Sequence, residues 1–280
     1  FQEPKQGGRI LGVTMAGTLN QITYEGKVAS FIRTAEALHE KKLGRIADQI
    51  TESREQIRVI LVAGPSSAGK TTFAKRLSTH LRVNGLHPRT LATDDYFVGE
   101  DRNPLGDDGK PDYEHIEAVD LAAFNRDLLA LIEGRPIRVR QFDFETKQPQ
   151  ISDDEMQLHE REVLIIEGIH GLNPRLTEMI PQEQKFKIYV NALTQLNLDT
   201  NNRISTTDNR LMRRLVRDHQ FRGHSALNTL RMWPMVRRGE KAWVFPFQQE
   251  ADATFNSALD YELAVLKPFA EPLLMQIKPS

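Results

Sequence analysis

The 280-residue sequence contains no cysteine, and this absence removes several classes of function at once. Without thiols the chain has no disulfide framework, no thiolate metal site and no cysteine nucleophile. Its eight histidines show no H-x-x-x-H or similar spacing that would mark a zinc site. Chains without disulfides are typical of the reducing cytoplasm, so we expect a cytoplasmic location.

The chain also lacks a long apolar run and a strong net charge. No apolar stretch approaches the roughly 20 residues that cross a bilayer, so we expect no membrane partner. The formal net charge of −1 gives no overall field that would draw the protein onto nucleic acid. The sequence begins at Phe1 rather than Met and shows no signal segment, which favours a fragment of a longer protein.

What is present is the composition of a packed α/β protein. Hydrophobic residues make up 39% of the chain, which is enough for a sizeable core. Short β-branched runs alternate with segments of helical periodicity, and this predicts an open, mostly parallel sheet with helices on both faces. We predict strands at residues 57–63, 89–93, 162–167 and 185–190, helices at 119–132 and through 209–241, and late strands at 253–255 and 263–266.

The first 56 residues are predicted to precede this domain. Residues 1–8, rich in Gln, Gly and Pro, are typical of a mobile arm. Residues 28–52 carry apolar side chains at helical spacing and predict an amphipathic helix docked outside the main domain, as a packing helix or a connector. We therefore divide the chain into an arm with a connector helix, residues 1–56, and a main domain, residues 57–280.

A glycine-rich segment between the first predicted strand and the next helix has the pattern of a phosphate-binding loop. Gly64-Pro-Ser-Ser-Ala-Gly69-Lys70-Thr71 matches G-x-x-x-x-G-K-[ST] in the strand–loop–helix context that gives the pattern its meaning. Backbone N–H groups and the helix N-terminus there attract phosphate oxygens. We expect Lys70 to bridge the β- and γ-phosphates of ATP and Thr71 to bind Mg²⁺. The predicted nucleotide-binding residues are Gly64, Ser66, Ser67, Ala68, Gly69, Lys70, Thr71 and Thr72.

Carboxylates end two more predicted strands. Asp94 and Asp95 follow the second strand, where one of them can accept the proton of an attacking hydroxyl or simply cap a turn. Glu167 closes the strand at residues 162–167. Near a P-loop such a carboxylate commonly holds Mg²⁺, although a turn carboxylate fits the same pattern. Ligands of open α/β sheets bind at the carboxyl ends of the strands, so these groups are candidates for one site.

Residues 203–241 carry ten Lys or Arg and three acidic residues. Arg210, Arg213 or Arg214, and Arg217 share one face of a predicted helix. Such a face can clamp a transferring phosphoryl group, because each guanidinium offers a bidentate fork. A solvated basic helix and a nucleic-acid surface are the alternatives, and aromatic residues are too sparse there for a base-stacking platform.

Five segments, taken in order, resemble the uridine kinase and phosphoribulokinase family of P-loop kinases. The resemblance spans residues 57–255 and implies a P-loop NTPase fold with an α-helical lid. The segments are residues 64–72, Thr93-Asp-Asp-Tyr-Phe97, Tyr113-Glu-His-Ile-Glu-Ala-Val-Asp120, Leu164-Ile-Ile-Glu-Gly-Ile169, and Arg210-Leu-Met-Arg-Arg-Leu-Val-Arg-Asp-His-Gln-Phe-Arg-Gly223.

The resemblance also implies roles for individual residues. ATP and Mg²⁺ are the implied cofactors, with Asp94 as the general base and Glu167 as a Mg²⁺ ligand. Lys70, Arg217 and Arg222 are implied to act in catalysis beside Asp94, and Arg214 to contact the nucleotide from the lid. The residues implied at the acceptor are Asp94, Tyr96, Glu114, Phe142, Lys147 and Arg217.

The acceptor side departs from the family pattern. Glu114 stands where uridine kinases usually have Asp, Phe142 replaces a Tyr, and Lys147 replaces a His; His224 and Met232 replace an Arg and a Gln. Lost polar contacts lower a site's discrimination, so the kinase prediction survives these changes and the uridine prediction is weakened. The polar stretch at residues 192–208 is expected to be a loop at the lid or a harmless insertion.

The sequence therefore predicts an ATP-dependent kinase acting on a hydroxyl of a small, nucleoside-like acceptor. Nucleic acid is not an expected partner, and a homo-oligomer is a hypothesis drawn from the family. The alternative is a nucleotide-binding regulatory or RNA-associated P-loop module with little kinase activity.

Overall fold

The computed structural model describes residues 11–107 and 109–277, so the predicted arm at residues 1–8 lies outside the described residues. Helices α1 (Ala16–Tyr24) and α2 (Val28–Glu52) come first. The elements that follow are β1 (Val59–Ala63), α3 (Lys70–Val83), β2 (His87–Ala92), α4 (Leu121–Ile132), β3 (Ile137–Asp143), β4 (Gln148–Met156), β5 (Glu162–Glu167), β6 (Lys185–Asn191), α5 (Thr206–Arg222), α6 (Ala226–Trp243), β7 (Ala253–Asn256) and α7 (Glu262–Met275).

Within the described residues, five strands form one sheet in the order β2-β5-β1-β6-β7. Every neighbouring pair in it is parallel. The five residues of β1 are all buried, as expected for an apolar strand covered on both faces. Strands β3 and β4 form a separate antiparallel hairpin that the sequence did not predict. The predicted open parallel α/β sheet is thus confirmed.

Helices cover both faces of the sheet. Side chains alternate along a strand, so Val59 and Leu61 of β1 pack towards α4, whereas Ile60 and Val62 pack towards α2 and α3. The apolar face of α2 belongs to this second core cluster, with Ile50 fully buried. The packing therefore differs from the expectation of a helix docked outside the main domain. A domain boundary at residues 56–57 stays a prediction.

The remaining helices differ from the sequence expectations at two places. The basic region is two helices, because Gly223, with φ of 63°, ends α5 in the left-handed conformation. Residues 263–266, predicted as a strand, lie inside α7, so this prediction was wrong. A short apolar run does not distinguish a buried strand from a helix by periodicity alone. No helix in the two described ranges is both long enough and apolar enough to span a bilayer.

The inserted loop before α5 contacts the N-terminal helices through apolar packing and main-chain hydrogen bonds. Leu196 packs in one cluster with Val13, Leu19 and Phe31. The carbonyl oxygen of Asn197 accepts from the N–H of Ala16 at 2.9 Å. The N–H of Asn197 donates to the carbonyl oxygen of Thr14 at 2.9 Å. Of the stretch at residues 192–208, residues 192–205 are therefore a loop whose apolar side packs on α1 and α2, and the last three residues begin α5.

Replacing Ile50 with alanine should destabilise the whole domain, because its fully buried side chain packs in the cluster shared by α2, α3 and β1. Truncations of this kind typically cost about 2–5 kcal/mol. Denaturant unfolding followed by circular dichroism measures the loss, with Gln49→Ala on the exposed side of the same turn as control. An unchanged free energy of unfolding for Ile50→Ala would show that α2 lies outside the cooperative core.

Candidate active site

A cleft of about 560 Å³ opens at the carboxyl edge of the parallel sheet. The strand register explains its position, because Val62 of β1 and Ala92 of β2 both pair with Glu167 of β5. The segments that follow these three strand ends therefore meet in one place. The hairpin β3–β4 and helices α5 and α6, which we call the lid helices, supply the other walls.

The loop between β1 and α3 has a backbone that few sequences permit. Ser67 has φ of 57° and Gly69 has φ of 86°, both in the left-handed region that disfavours side chains with a Cβ. At Gly64 a Cβ would lie 1.9 Å from the carbonyl oxygen of Val190, so only glycine allows this approach of β1 to β6. These turns present the first residues of α3, with their unpaired N–H groups, to the cleft.

Four titratable side chains meet at the inner end of the cleft: Lys70, Asp94, Glu114 and Glu167. Burial lowers the pKa of Lys70, while Glu167 and Asp94 oppose that shift. Burial, together with the charge of Glu167, raises the pKa of Asp94, and Lys70 acts in the opposite direction. A shielded carboxyl with raised proton affinity has the property required of a proton acceptor.

Thr71 and Glu167 form a pair of oxygen donors beside this group. The Thr71 hydroxyl donates to Glu167 Oε1 at 2.6 Å, and the other carboxylate oxygen, Oε2, is buried without a protein hydrogen-bond partner. Gly168 lets the strand end lie against β2, since a Cβ there would be 1.8 Å from Thr93 Oγ1. Carboxylate and hydroxyl oxygens are hard ligands, so this donor set fits a divalent cation such as Mg²⁺.

Three arginines of α5 are gathered by one buried carboxylate, Asp218. Its oxygens accept from Arg214 at 3.1 Å and from Arg217 at 2.7 Å, and Arg222 lies 3.8 Å away. Burial acts to raise the pKa of Asp218, but the three arginines hold this pKa below its usual range. All three guanidinium groups line the cleft; Arg214 and Arg217 belong to the predicted helix face, and Arg222 was implied only by the family resemblance.

The other two arginines named for the predicted face, Arg210 and Arg213, pair with acids outside α5; Arg213 still lines the cleft, whereas Arg210 does not. Arg210 is 1% exposed and pairs with the fully buried Glu240 of α6. Arg213 pairs with Glu262 of α7 and donates to Ser257 Oγ at 3.0 Å. The arginines of α5 are thus engaged with acidic groups inside the protein, and a solvated basic face is not what α5 presents.

Aromatic side chains form the far wall of the cleft. Phe97 stacks edgewise against Phe142 with ring centroids 5.5 Å apart, and Tyr113 lies 5.5 Å from Phe97. Lys147 lines the same wall, and its ammonium group pairs with Glu100 at 2.5 Å. This part of the cleft is mostly apolar and presents ring edges and faces to an occupant.

Tyr96, predicted at the acceptor, lies outside the cleft. Its side chain is 2% exposed, its hydroxyl donates to Asp127 at 3.3 Å, and its ring stacks on Phe124. The carboxylate of Asp127 also accepts from Arg140 of β3 at 2.9 Å. Tyr96 thus packs beneath the hairpin, while the other residues predicted at the acceptor line the cleft: Asp94, Glu114, Phe142, Lys147 and Arg217.

Glu114 lies against the lid helix α6. A Cβ on Gly239 would come within 2.3 Å of the Glu114 Cβ, so glycine is required for this contact. Burial raises the pKa of Glu114 to about 7; Arg214 acts against this shift and the charge of Glu240 adds to it. Its Oε2 is buried without a protein partner. The carboxyl is therefore placed to exchange hydrogen bonds with an occupant.

Several residues of the site were not singled out from the sequence. Phe97, Tyr113 and Asp218 lie inside the recognised segments, so their position in those segments was a usable signal. Glu240 is an acidic residue in a strongly basic region, which is a weaker signal. Phe144 lies two residues after Phe142, in the segment compared with the family pattern, whereas Met235 has no local signal, because it reaches the cleft only through the placement of α6.

The raised pKa of Glu114 predicts a pH-dependent stability difference between the protein and Glu114→Gln. The folded state favours the neutral carboxyl of Glu114. The stability that this neutral carboxyl provides is therefore fully present below about pH 4.5 and is lost as the pH rises through about 7. Across this window Glu114→Gln should gain stability relative to the unsubstituted protein, by up to about 3 kcal/mol. Urea unfolding at several pH values measures it. The control is Glu117→Gln at an exposed position, and a difference that does not change with pH would contradict the prediction.

Comparison with known proteins agrees with this geometry. Uridine kinases of Deinococcus deserti and Lactobacillus helveticus are 28% and 29% identical over 197 and 210 residues, covering 69% and 74% of this chain and 84% and 90% of theirs. A solved structure from Silicibacter sp., provisionally named a fructose transport system kinase, has a TM-score of 0.52 at 17% identity and shares the fold; the match covers 76% of this chain and 98% of that one. The sequence model described as the Phosphoribulokinase / Uridine kinase family matches residues 59–264. The chain belongs to this family of P-loop kinases.

Proposed function

We propose that this protein uses ATP and Mg²⁺ to phosphorylate a hydroxyl group of a small, nucleoside-like acceptor. The observation that carries the proposal is the position of Asp94. This shielded carboxyl shares one cleft with Lys70 of the P-loop, with the Thr71–Glu167 pair and with the aromatic wall. A base, a phosphate-binding loop, a cation site and an acceptor chamber are the parts that phosphoryl transfer to a hydroxyl requires.

The P-loop is proposed to hold the triphosphate. Backbone N–H groups from Gly69 to Thr72, at the N-terminus of α3, donate to phosphate oxygens, and the ammonium group of Lys70 neutralises their charge. Thr71 and Glu167 would hold Mg²⁺, which when bound neutralises phosphate charge and polarises the phosphoryl group. Lys70 is already held close to the loop by a bond from its Nζ to the Pro65 carbonyl oxygen at 3.3 Å.

Asp94 is proposed to orient the acceptor hydroxyl and to accept its proton. As the acceptor oxygen bonds to the γ-phosphorus, the bond from that phosphorus to the β,γ-bridging oxygen breaks, and ADP leaves with the bonding electrons. Lys70, Arg217 and Arg222 neutralise the charge on the transferring group. Asp218 fixes these arginines before the reaction, so less reorganisation is needed when charge develops.

The shape and chemistry of the far wall support a nucleoside-like acceptor. Phe97, Tyr113 and Phe142 offer apolar ring surfaces suited to a flat heterocycle. Glu114, with its unpaired buried oxygen, is suited to the hydroxyl groups of a sugar. Relatives at about 28% identity are named uridine kinases, which agrees with this acceptor class.

Two further expectations from the sequence are kept as proposals. A cytoplasmic location and assembly into a homo-oligomer are consistent with the family. A role in RNA binding is less well supported, because the arginines of α5 face the cleft or pair with buried acids, as Arg210 does with Glu240.

The proposal is tested first by the substitution Asp94→Asn with a panel of nucleosides and small sugars. ADP release from Mg²⁺-ATP should depend on an acceptor, and Asp94→Asn should lower that release by about 10²-fold or more because the proton acceptor is lost. ATP affinity should change little.

Asp95→Asn is the matched control, since the neighbouring carboxyl accepts from the main-chain N–H of Phe142 and does not line the cleft. It should retain most of the turnover. If Asp94→Asn turned over every active acceptor at the unsubstituted rate, Asp94 would not be the base.

A second test separates the proposed cation ligands from the base. Thr71→Val keeps the shape of the side chain but removes the hydroxyl that donates to Glu167. It should raise the Mg²⁺ concentration for half-maximal activity by about ten-fold or more, as losses around metal sites commonly do.

Thr71→Ser, which keeps the hydroxyl, is the control and should stay close to the unsubstituted protein. Mg²⁺ titration of ADP release at saturating ATP provides the measurement. An identical Mg²⁺ dependence for Val and Ser variants would exclude the Thr71 hydroxyl as a ligand.

A further inference from the structure

Ser66, in the P-loop, has each of its polar groups bonded to a lid helix. Its N–H donates to Glu240 Oε1 at 3.0 Å, and its carbonyl oxygen accepts from Arg210 Nη1 at 2.8 Å. Its hydroxyl accepts from Arg214 Nη1 at 2.8 Å. Ser66 is one of the residues predicted to contact the nucleotide, and it lines the cleft. Its N–H, however, donates to a side chain 174 positions away in the chain.

The pair that holds this peptide is buried, and both terminal nitrogens of Arg210 bond to Glu240. The side chains of Arg210 and Glu240 are 1% and 0% exposed and form a bidentate pair. The Trp233 ring lies 5.5 Å from the Arg210 guanidinium, and Arg237 donates to the second Glu240 oxygen at 2.9 Å. The opposite charges of Arg210 and Glu240 sum to zero. The pair can therefore hold the Ser66 backbone without adding net charge beside the phosphates.

The peptide that is held precedes the strained part of the loop. Ser67, the next residue, has φ of 57°, a left-handed conformation that costs a residue with a Cβ about 1 kcal/mol or more. Such conformations persist where the surroundings over-determine them. Fixing both the N–H and the carbonyl group of Ser66 limits rotation on the N-terminal side of that turn. That turn sets the direction of the N–H groups from Gly69 to Thr72, which follow it.

We propose that Arg210 and Glu240 are positioning residues, and that they pre-organise the P-loop for the triphosphate by clamping the Ser66 peptide from the lid helices. The inference rests on the proposed use of ATP. The clamp ties the inner ends of α5 and α6 to the P-loop. The clamp therefore restricts the inner ends of these helices and leaves any movement of the lid to its outer end. There the side chains of Arg217 and Arg222 are 32% and 49% exposed.

The test removes both charges together, in Arg210→Met with Glu240→Leu, because breaking one half would leave a buried unpaired charge. ATP affinity, measured by calorimetry without an acceptor, should fall by about ten-fold or more, since a bond to a charged group holds the loop. The thermal unfolding midpoint should stay close to that of the unsubstituted protein.

The matched control is Arg140→Met with Asp127→Leu, which removes another largely buried pair that does not touch the P-loop. It should keep the ATP affinity of the unsubstituted protein. Unchanged ATP affinity in the Arg210/Glu240 double variant, or an equal loss in the control, would overturn the proposal.

Hydrogen exchange of the unsubstituted protein gives a second test that does not depend on the variant folding. Detected by NMR without nucleotide, the Ser66 amide should exchange as slowly as the buried amides of β1, because Glu240 accepts its hydrogen. Fast exchange of that amide would overturn the proposal. Neither the ATP affinity nor the exchange rate depends on an acceptor. A wrong acceptor class, or a wrong base at Asp94, would therefore not change the outcome of these two tests.

Discussion

Because β1, β2 and β5 run parallel and in register, the chain leaves all three strands at the same edge of the sheet. Glu167 pairs with both Val62 and Ala92, so the P-loop, Asp94 and Glu167 are brought together by main-chain hydrogen bonds alone. Two glycines make this close convergence possible, Gly64 against β6 and Gly168 against Thr93. The site is therefore a consequence of strand direction combined with two positions that exclude a Cβ.

Charge in the lid helices is organised by a few buried acids. Asp218 gathers three arginines of α5, and Glu240 binds Arg210 and Arg237. Removing a charge from water is costly unless it is paired, so these acids allow a dense set of guanidinium groups to be packed beside a phosphate-binding loop. Because of this pairing, the arginine side chains of α5 lie at the cleft or against the P-loop.

The N-terminal helices are part of this framework. The face of α2 that contains Ile50 shares a core cluster with β1 and α3, the helix whose first turn follows the P-loop. The loop at residues 192–205 adds Leu196 to a second cluster with α1 and α2. The N-terminal region thus stabilises the sheet side of the P-loop, while the lid helices hold Ser66 from the opposite side.

The sequence by itself determined the sheet, the P-loop and the acidic strand ends. Apolar β-branched runs that lead into turn residues favour buried strands, and the spacing of Gly64, Gly69 and Lys70 encodes a local backbone geometry. Parallel topology then placed Asp94 and Glu167 at one edge without further information. These features depend on residues close together in the chain, and the structure confirms the strands that carry them.

Tertiary structure alone decided how the walls of the site are built. Tyr96 packs beneath the hairpin against Asp127, the run at residues 263–266 is helical in α7, and Phe142 of the aromatic wall comes from a hairpin with no clear periodicity. Glu240 meets Ser66 across 174 positions, and Gly239 meets Glu114 from distant parts of the fold, the lid helix α6 and the loop before α4. Such contacts have no local signal, because they depend on how the lid helices pack on the sheet rather than on any neighbouring residue.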